Sequence, residues 1–349
     1  MTAISVVVAA YNEEPVISSS VVRLLDHMKA HHGEDWELVF VNDGSRDRTG
    51  QLLDEARNLD KRIVVLHHPR NFGQGRALRT AFEVCSGDVI VTLDADLSYG
   101  PEYVGRLTQA LKENQVDIAL ASAFMKGGTV ANVPLHRYIL SKTANRYLAL
   151  MSHYDVATST CVARAYRREV IDSLYLSSDG MELQLEILMK SAVTGYKVCE
   201  IPAELRWEEP SAAAPKTAPK RRSKMKIAKT IGLYLKIGWL SKPAALFLAA
   251  GAIFFMGGAY MALMISILTI KAITASAEPT LALAVSDGVK ASYTKYTYSF
   301  AISSGLLILG FQFLVFALIF IQNQFYFEET YKIMQETLRK TRAVGKGKS

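Results

Sequence analysis

The sequence predicts an α/β domain built on a mostly parallel sheet with helices on both faces, followed by an interfacial amphipathic helix and two transmembrane helices. Two observations carry that expectation. Over the first 122 residues, short β-branched apolar runs alternate with segments of helical period. Beyond Lys242, two stretches free of charged residues are each long enough to cross a bilayer.

The run ISVVVAA (residues 4–10) is continuous and β-branched, which suits a strand buried on both faces. It stops at Tyr11-Asn12-Glu13, and a helical pattern follows to about His32. WELVFVND (36–43) predicts the second strand, RTGQLLDEARNLD (48–60) a helix and IVVLHH (63–68) the third strand. RALRTAFEVC (76–85) reads as a helix and DVIVTLDAD (88–96) as a strand. PEYVGRLTQALKEN (101–114) is a helix opened by Pro101, and DIALAS (117–122) is the last strand of the series. Such alternation gives a parallel sheet, because each crossover helix returns the chain to the same end. Ligands of open sheets bind beyond the carboxyl ends of the strands. The polar clusters Tyr11-Asn12-Glu13, Asn42-Asp43-Gly44-Ser45 and Asp94-Ala95-Asp96 all stand there.

The chain has 349 residues and a net charge of +7, and the placement of that charge is informative. Residues 1–210 carry 22 Lys and Arg against 28 Asp and Glu, and residues 211–349 carry 18 against 5. The basic excess therefore sits in the most apolar part. Nucleic-acid binding wants a basic face on the folded part, and that part is net acidic, so nucleic acid is excluded as a partner. Three scattered cysteines, Cys85, Cys161 and Cys199, give neither a disulfide scaffold nor a zinc site; they read as packed thiols.

Four regions follow. Residues 1–210 form the α/β domain, and 211–242 a basic linker with an interfacial helix carrying Ile227, Ile231, Tyr234, Leu235 and Ile237 at roughly helical spacing. Residues 243–325 form a two-helix anchor with an external loop at about 271–298, and 326–349 a basic tail. Nine Lys or Arg in 216–242 and six in the tail, against three in the loop, put both termini and the α/β domain in the cytoplasm. The start lacks the basic region and long apolar core of a signal peptide. Gly257, Gly258 and Ala262 offer a small-residue face for helix packing, within one chain or between copies of a homo-oligomer.

Asp94-Ala95-Asp96 is the central chemical feature. Residues i and i+2 of a strand point to one side, so two carboxylates can meet one hard cation. Oxygen ligands favour Mg²⁺ or Mn²⁺, which usually also binds substrate phosphates. Residues 71–77, NFGQGRA, form a glycine-punctuated turn ahead of a helix, either a plain helix start or a place where backbone approaches a ligand. His31-His32 and His67-His68 lack a third ligand at a suggestive spacing and read as structural or surface groups.

In this order, Ala-Tyr-Asn-Glu after a strand, Asn-Asp-Gly-Ser, Asn-x-Gly-x-Gly-x-Ala and Asp-Ala-Asp-Leu resemble family 2 glycosyltransferases with the Rossmann-like GT-A fold. Within that family the pattern is similar to dolichyl-phosphate mannosyltransferases and bacterial polyprenyl-phosphate glucosyltransferases. Lys126-Gly127-Gly128, Arg137 with Ser141, residues 164–168 (RAYRR) and 180–186 (GMELQLE) extend the likeness over about residues 3–210. The resemblance implies that Ala10, Tyr11 and Glu13 hold the nucleotide and that Val41 and Asp43 contact base and ribose. It implies that Asp94 and Asp96 are metal ligands, Asp96 a catalytic one, with Ala95 against the nucleotide. Arg206 would face the diphosphate, Arg137 and Ser141 would grip a lipid phosphate with Lys126 assisting, and Asp155 would be the catalytic aspartate. Ser98 stands where the family often has Gln, and Ala123 where it often has an arginine.

The expected reaction is metal-dependent, inverting transfer of a sugar from a nucleotide sugar, of UDP-glucose or GDP-mannose type, to a polyprenyl (undecaprenyl or dolichyl) phosphate at the membrane. A phosphate monoester is already ionised at neutral pH, so Asp155 has mainly to orient, with a general-base role open. Two rival readings are transfer to another lipid such as diacylglycerol, and a catalytically silent membrane scaffold.

Overall fold

Strand formation in this chain follows β-branched content. In the computed structural model, which describes residues 3–151, 154, 156–207, 243–276 and 279–346, the runs read as strands become β1 (Ile4–Ala10), β2 (Trp36–Asn42), β3 (Ile63–His67), β4 (Val89–Asp94) and β5 (Ile118–Ser122). Between them lie α1 (Glu14–His31), α2 (Thr49–Ala56), α3 (Gln74–Val84) and α4 (Glu102–Glu113). Thereafter come β6 (Thr129–Ala131), α5 (Leu135–Met151), β7 (Arg164–Arg167), α6 (Arg168–Ser173), α7 (Leu183–Thr194), β8 (Val198–Pro202) and β9 (Glu204–Arg206). Two long helices follow, α8 (Pro243–Thr274) and α9 (Leu281–Lys346). The linker and interfacial helix expected over 211–242 lie outside the described residues, as does Asp155.

The main sheet has seven strands in the order β3-β2-β1-β4-β7-β5-β8. All pairings are parallel except those of β7, which runs antiparallel between β4 and β5. A separate parallel pair joins β6 to β9. Val6, Val7, Leu38, Val39, Phe40, Ile90, Val91 and Leu93 are fully buried, as strands covered by helices on both faces must be. Helix α1 covers its side with Ile17, Val21, Leu24 and Met28, a period of three to four residues. The cysteines are free, and burial pushes the Cys85 thiol up to about 12, so it packs rather than reacts.

The chain divides into two compact units, Met1–Tyr234 with Tyr331–Ser349, and Leu235–Thr330. In the second, α8 and the apolar part of α9 are each long and apolar enough to cross a membrane. They pack through small residues: a Cβ on Gly258 would stand 2.9 Å from the amide nitrogen of Leu307, and the Ser303 hydroxyl donates to the Gly258 carbonyl at 2.9 Å. Phe247 stacks on Phe320 and Phe254 on Phe313. Gly257 makes only an ordinary contact with Leu306, whereas Gly251, Gly258 and Gly310 all stand where the two helices come close.

One expectation changes. The segment read as an external loop, about 271–298, is largely helical: α8 continues to Thr274 and α9 begins at Leu281. Within this part of α9 the helix kinks at Tyr296, with φ −121° and ψ 29°. Residues 281–292, LALAVSDGVKAS, are rich in good helix formers, and scattered charge and polarity do not stop a helix. For the same reason the basic tail is helical to Lys346.

Candidate functional site

The strand order places a crevice. From β1 the chain moves outward to β2 and β3, then returns to β4 on the other flank of β1. Loops leaving the carboxyl ends of β1 and β4 therefore diverge, and open sheets bind ligands at that point. Residues 11–13 leave one side and residues 94–96 end the other; Ala9 pairs in register with Asp94.

The β1 side is stapled to the end of β2. The buried Ala10 accepts the Asp43 amide at 2.9 Å, while Val41 is fully buried in the strand behind it. Asn12, with φ +53°, donates its amide to the Ser45 hydroxyl and accepts the Arg46 amide at 2.7 Å. The Glu13 amide donates to the Thr49 hydroxyl at 2.8 Å, and Tyr11 is half-buried between.

Asp43 is 2% exposed and accepts the amides of Phe72 and Gly73 at 3.0 and 2.8 Å. Its third partner is His68 Nδ1 at 2.7 Å, whose other nitrogen meets the Thr80 hydroxyl at 3.0 Å. A carboxylate only accepts, so Nδ1 carries the proton in this pair. Asp43 thus pins the glycine turn ahead of α3, a task that residue spacing did not disclose, and His68 is a site-adjacent residue that sequence reasoning placed elsewhere.

Across the crevice Asp94 and Asp96 are half-buried and Ala95 is buried. Ser98 donates both its amide, at 3.0 Å, and its hydroxyl, at 2.6 Å, to Asp96 Oδ1. Gln74, at the start of α3, donates to Asp94 at 3.4 Å. Among the described residues no group of three or more His, Cys, Asp or Glu side chains could hold a metal ion. Two oriented carboxylates suit a hard cation that takes its remaining oxygens from a bound diphosphate and water. Arg206 adjoins this turn: its amide donates to the Ser98 carbonyl at 2.9 Å, and its guanidinium bonds Glu204 at 2.8 Å.

The glycine turn resolves into an approach of protein to protein. Gly73 has φ +111°, and a Cβ on Gly75 would lie 2.5 Å from the Gly180 carbonyl oxygen and 2.8 Å from that of Ser178. The close backbone is the chain's own loop over 177–180, which also takes the Arg76 amide at 3.0 Å and the Arg79 guanidinium. Glu186 fixes that loop, accepting the amides of Ser177 and Ser178 at 2.9 and 2.8 Å and the ammonium of Lys190 at 2.5 Å. Burial raises the Glu186 pKa, but Lys190 and the Ser178 and Ser177 donors outweigh it, and the value falls to about 2. A folded pKa below the unfolded value of about 4.3 gives stability that is present above pH ~5 and is lost as the pH falls toward 2. Melting curves should therefore drop more steeply between pH 5 and 2 in the wild type than in Glu186→Gln, which starts lower; parallel curves would contradict this.

The remaining residues lie on α5 and the small sheet. Arg137 and Ser141 are half-buried on the first turns of α5, and Lys126 is exposed in the loop after β5. The Arg137 guanidinium carbon stands 5.1 Å from the centroid of the Trp207 ring. Buried Asn145 ties this helix to Thr160, accepting its amide at 3.2 Å and donating to the Ser141 carbonyl at 3.0 Å. The structure thus joins Ala10 to Asp43, Asp43 to the glycine turn, Gln74 to Asp94, and Arg206 to the turn after Asp96.

The model for "Glycosyl transferase family 2" matches residues 5–175. Polyprenol monophosphomannose synthase of Mycolicibacterium smegmatis is 35% identical over 205 residues, 56% of this chain and 75% of that protein. The chain belongs to glycosyl transferase family 2. This family 2 glycosyltransferase is also 33% identical to dolichol-phosphate mannosyltransferase of Pyrococcus furiosus, over 57% of this chain and 55% of that one. It is 39% identical to undecaprenyl-phosphate 4-deoxy-4-formamido-L-arabinose transferase of Pseudomonas fluorescens, over 49% and 48%. The glycosyltransferase thus spans about half the length of these last two relatives. Among solved structures, glucosyl-3-phosphoglycerate synthase from Mycobacterium tuberculosis with Mn²⁺, UDP-glucose and phosphoglyceric acid aligns with TM-score 0.50. That match is 18% identical over 69% of this chain and 78% of the other, a likeness of GT-A fold.

Proposed function

We propose that this glycosyltransferase moves a sugar from a nucleotide sugar to a polyprenyl phosphate at the cytoplasmic face of a membrane, with inversion at the anomeric carbon. The observation that carries the proposal is the pairing of a two-carboxylate turn at the sheet's crevice with an arginine-bearing helix beside it. The names of the relatives support a polyprenyl-phosphate acceptor, and α8 and α9 support a membrane setting. The clustering of Lys and Arg on both flanks of the apolar helices favours cytoplasmic termini.

Asp94 and Asp96 would hold Mg²⁺ or Mn²⁺, which when bound supplies positive charge to the departing nucleoside diphosphate. Tyr11 and Glu13 would line the wall against which base and ribose lie, with the buried Val41 and Asp43 behind them. Arg206 turns from Glu204 toward the diphosphate and stabilises negative charge there. Arg137 and Ser141 hold the acceptor phosphate, with Lys126 close by in sequence on the preceding loop. Ionised phosphate attacks from the face opposite the leaving group, and Asp155 orients it. Little proton movement is needed, because the nucleophile is already an anion.

The direct test incubates the purified full chain with undecaprenyl or dolichyl phosphate and a panel of labelled nucleotide sugars. Label should enter the lipid phase and remain absent when the metal is chelated; label released only into water would sink the proposal. Arg137→Ala should raise the acceptor KM about 10- to 100-fold, the weight of a hydrogen bond to a charged group. A neutral acceptor such as diacylglycerol would leave that KM unmoved.

A further inference from the structure

Resting on the acceptor reading above, we infer that Trp207 is a positioning residue for the acceptor phosphate: its indole backs the Arg137 guanidinium and turns the edge of that group toward the lipid phosphate.

Neither residue is placed by accident of surface packing. Trp207 follows β9 directly, and its amide donates to the Ala131 carbonyl at 3.1 Å, extending the β6–β9 pairing by one bond. The indole is thereby fixed to a short sheet rather than to a free loop. Arg137 belongs to the first turn of α5, where its amide bonds the Pro134 carbonyl at 2.9 Å. Only five residues separate Ala131 from Arg137, so the β6–β9 pair and the start of α5 form one corner. Both side chains are half-buried, and the guanidinium carbon lies 5.1 Å from the ring centroid. A cation within about 6 Å of an indole face is attracted by the ring's quadrupole.

A guanidinium presents its five N–H groups in its own plane and none on its faces. An aromatic ring over one face therefore consumes no donor. It removes rotational freedom from a long side chain and leaves the fork free for a phosphate, which arginine grips in bidentate fashion. A carboxylate partner would have done the opposite, occupying the fork and cancelling the charge.

The geometry has a second consequence. Arg206, whose amide bonds the Ser98 carbonyl beside Asp96, is the residue immediately before Trp207. One short strand thus sets both an arginine next to the donor turn and the platform for an arginine on the acceptor helix. Any shift of β9 would move both together, which ties the spacing of the two phosphate-binding groups to a single element.

The test compares wild type, Trp207→Ala, Trp207→Phe, Arg137→Ala and Arg137→Ala/Trp207→Ala in the full-length chain, with polyprenyl phosphate as the varied substrate. Trp207→Ala should raise the acceptor KM about 3- to 30-fold, the range of a half-buried cation–π contact, with the donor KM within twofold. Trp207→Phe should recover most of that loss, since it restores an aromatic face. In the Arg137→Ala background the Trp207→Ala change should add nothing. Titrating wild type with polyprenyl phosphate should also alter tryptophan emission, and the change should vanish in Trp207→Phe. If Trp207→Ala leaves the acceptor KM unmoved while Arg137→Ala raises it, the positioning role is overturned and the acceptor reading stands. If Arg137→Ala itself leaves that KM unchanged, the acceptor reading fails, and this inference fails with it. Equal increases in donor and acceptor KM would reduce Trp207 to a structural residue.

Discussion

Asp96→Ala is expected to lower the rate of sugar transfer about 10³-fold, the cost of removing a preorganised electrostatic contact to developing charge. On the proposed reading the loss should fall on kcat more than on the acceptor KM, because the carboxylate would serve the leaving group. Asp96 is held by two donors from Ser98, at 3.0 and 2.6 Å, so its orientation is set before any ligand arrives. Asp96→Asn keeps the shape and removes the charge, and it should lose nearly as much. Chelation of the wild type should reproduce the same loss, and adding Mn²⁺ back should restore wild type and neither variant. Transfer at wild-type rates by Asp96→Ala would remove the carboxylate pair from the mechanism.

Arg164→Met is expected to destabilise the protein by about 3–5 kcal/mol. Arg164 is fully buried at the start of β7, and each of its three nitrogens donates to a backbone carbonyl. Its Nε bonds the Cys161 carbonyl at 2.9 Å, Nη1 that of Gln184 at 2.9 Å and Nη2 that of Ser159 at 2.6 Å. Methionine fills much of the volume but takes a donor from three carbonyls, and those of Cys161 and Ser159 lie outside any helix or strand, each loss costing about 1–3 kcal/mol before relaxation. For a domain of this size the melting temperature should fall by about 10 °C. Arg164→Lys should rescue little, because one ammonium cannot reach three carbonyls fixed by a planar fork. Thermal unfolding of the full chain in detergent, followed by fluorescence, would measure this; a change under 2 °C would show that the loop over 159–163 finds other donors.

The two variants mark what the sequence discloses and what it conceals. Strands β1 to β5 were legible to within a residue or two because parallel strands buried on both faces need continuous β-branched runs. The Asp94 and Asp96 doublet was visible at the end of an apolar run, but β4 stops at Asp94 and Asp96 lies in the turn that follows, so strand alternation does not place the two side chains. The role of Arg164 was not legible, since a buried cation satisfied by carbonyls from 159, 161 and 184 obeys no local pattern. Strand β7 was hidden for a related reason: Arg164-Ala165-Tyr166-Arg167 carries charges at both ends and shows no apolar alternation. Strands β6 and β9 are three residues each, too short for any period. The pairing of His68 with Asp43 spans 25 residues of sequence. The glycine turn was seen, but the loop it receives comes from a hundred residues downstream. The helical start of α9 was missed because charge, rather than helix propensity, was used to mark a loop.

The antiparallel strand β7 also has a consequence in time. The first 122 residues look self-sufficient, with five strands and four helices in strict alternation. Yet β5 makes no ladder with β4; it bonds only to β7 and β8, both of which leave the ribosome later. Until residues 164–167 emerge, β4 presents an open apolar edge and β5 has no neighbour, and such edges invite association between nascent chains. The loop over 177–180 and the Glu186 that holds it arrive later still, so the glycine turn beside Asp43 cannot close early. The glycine turn is therefore completed in the growing chain only once α7 is made, shortly before the first apolar helix begins to emerge.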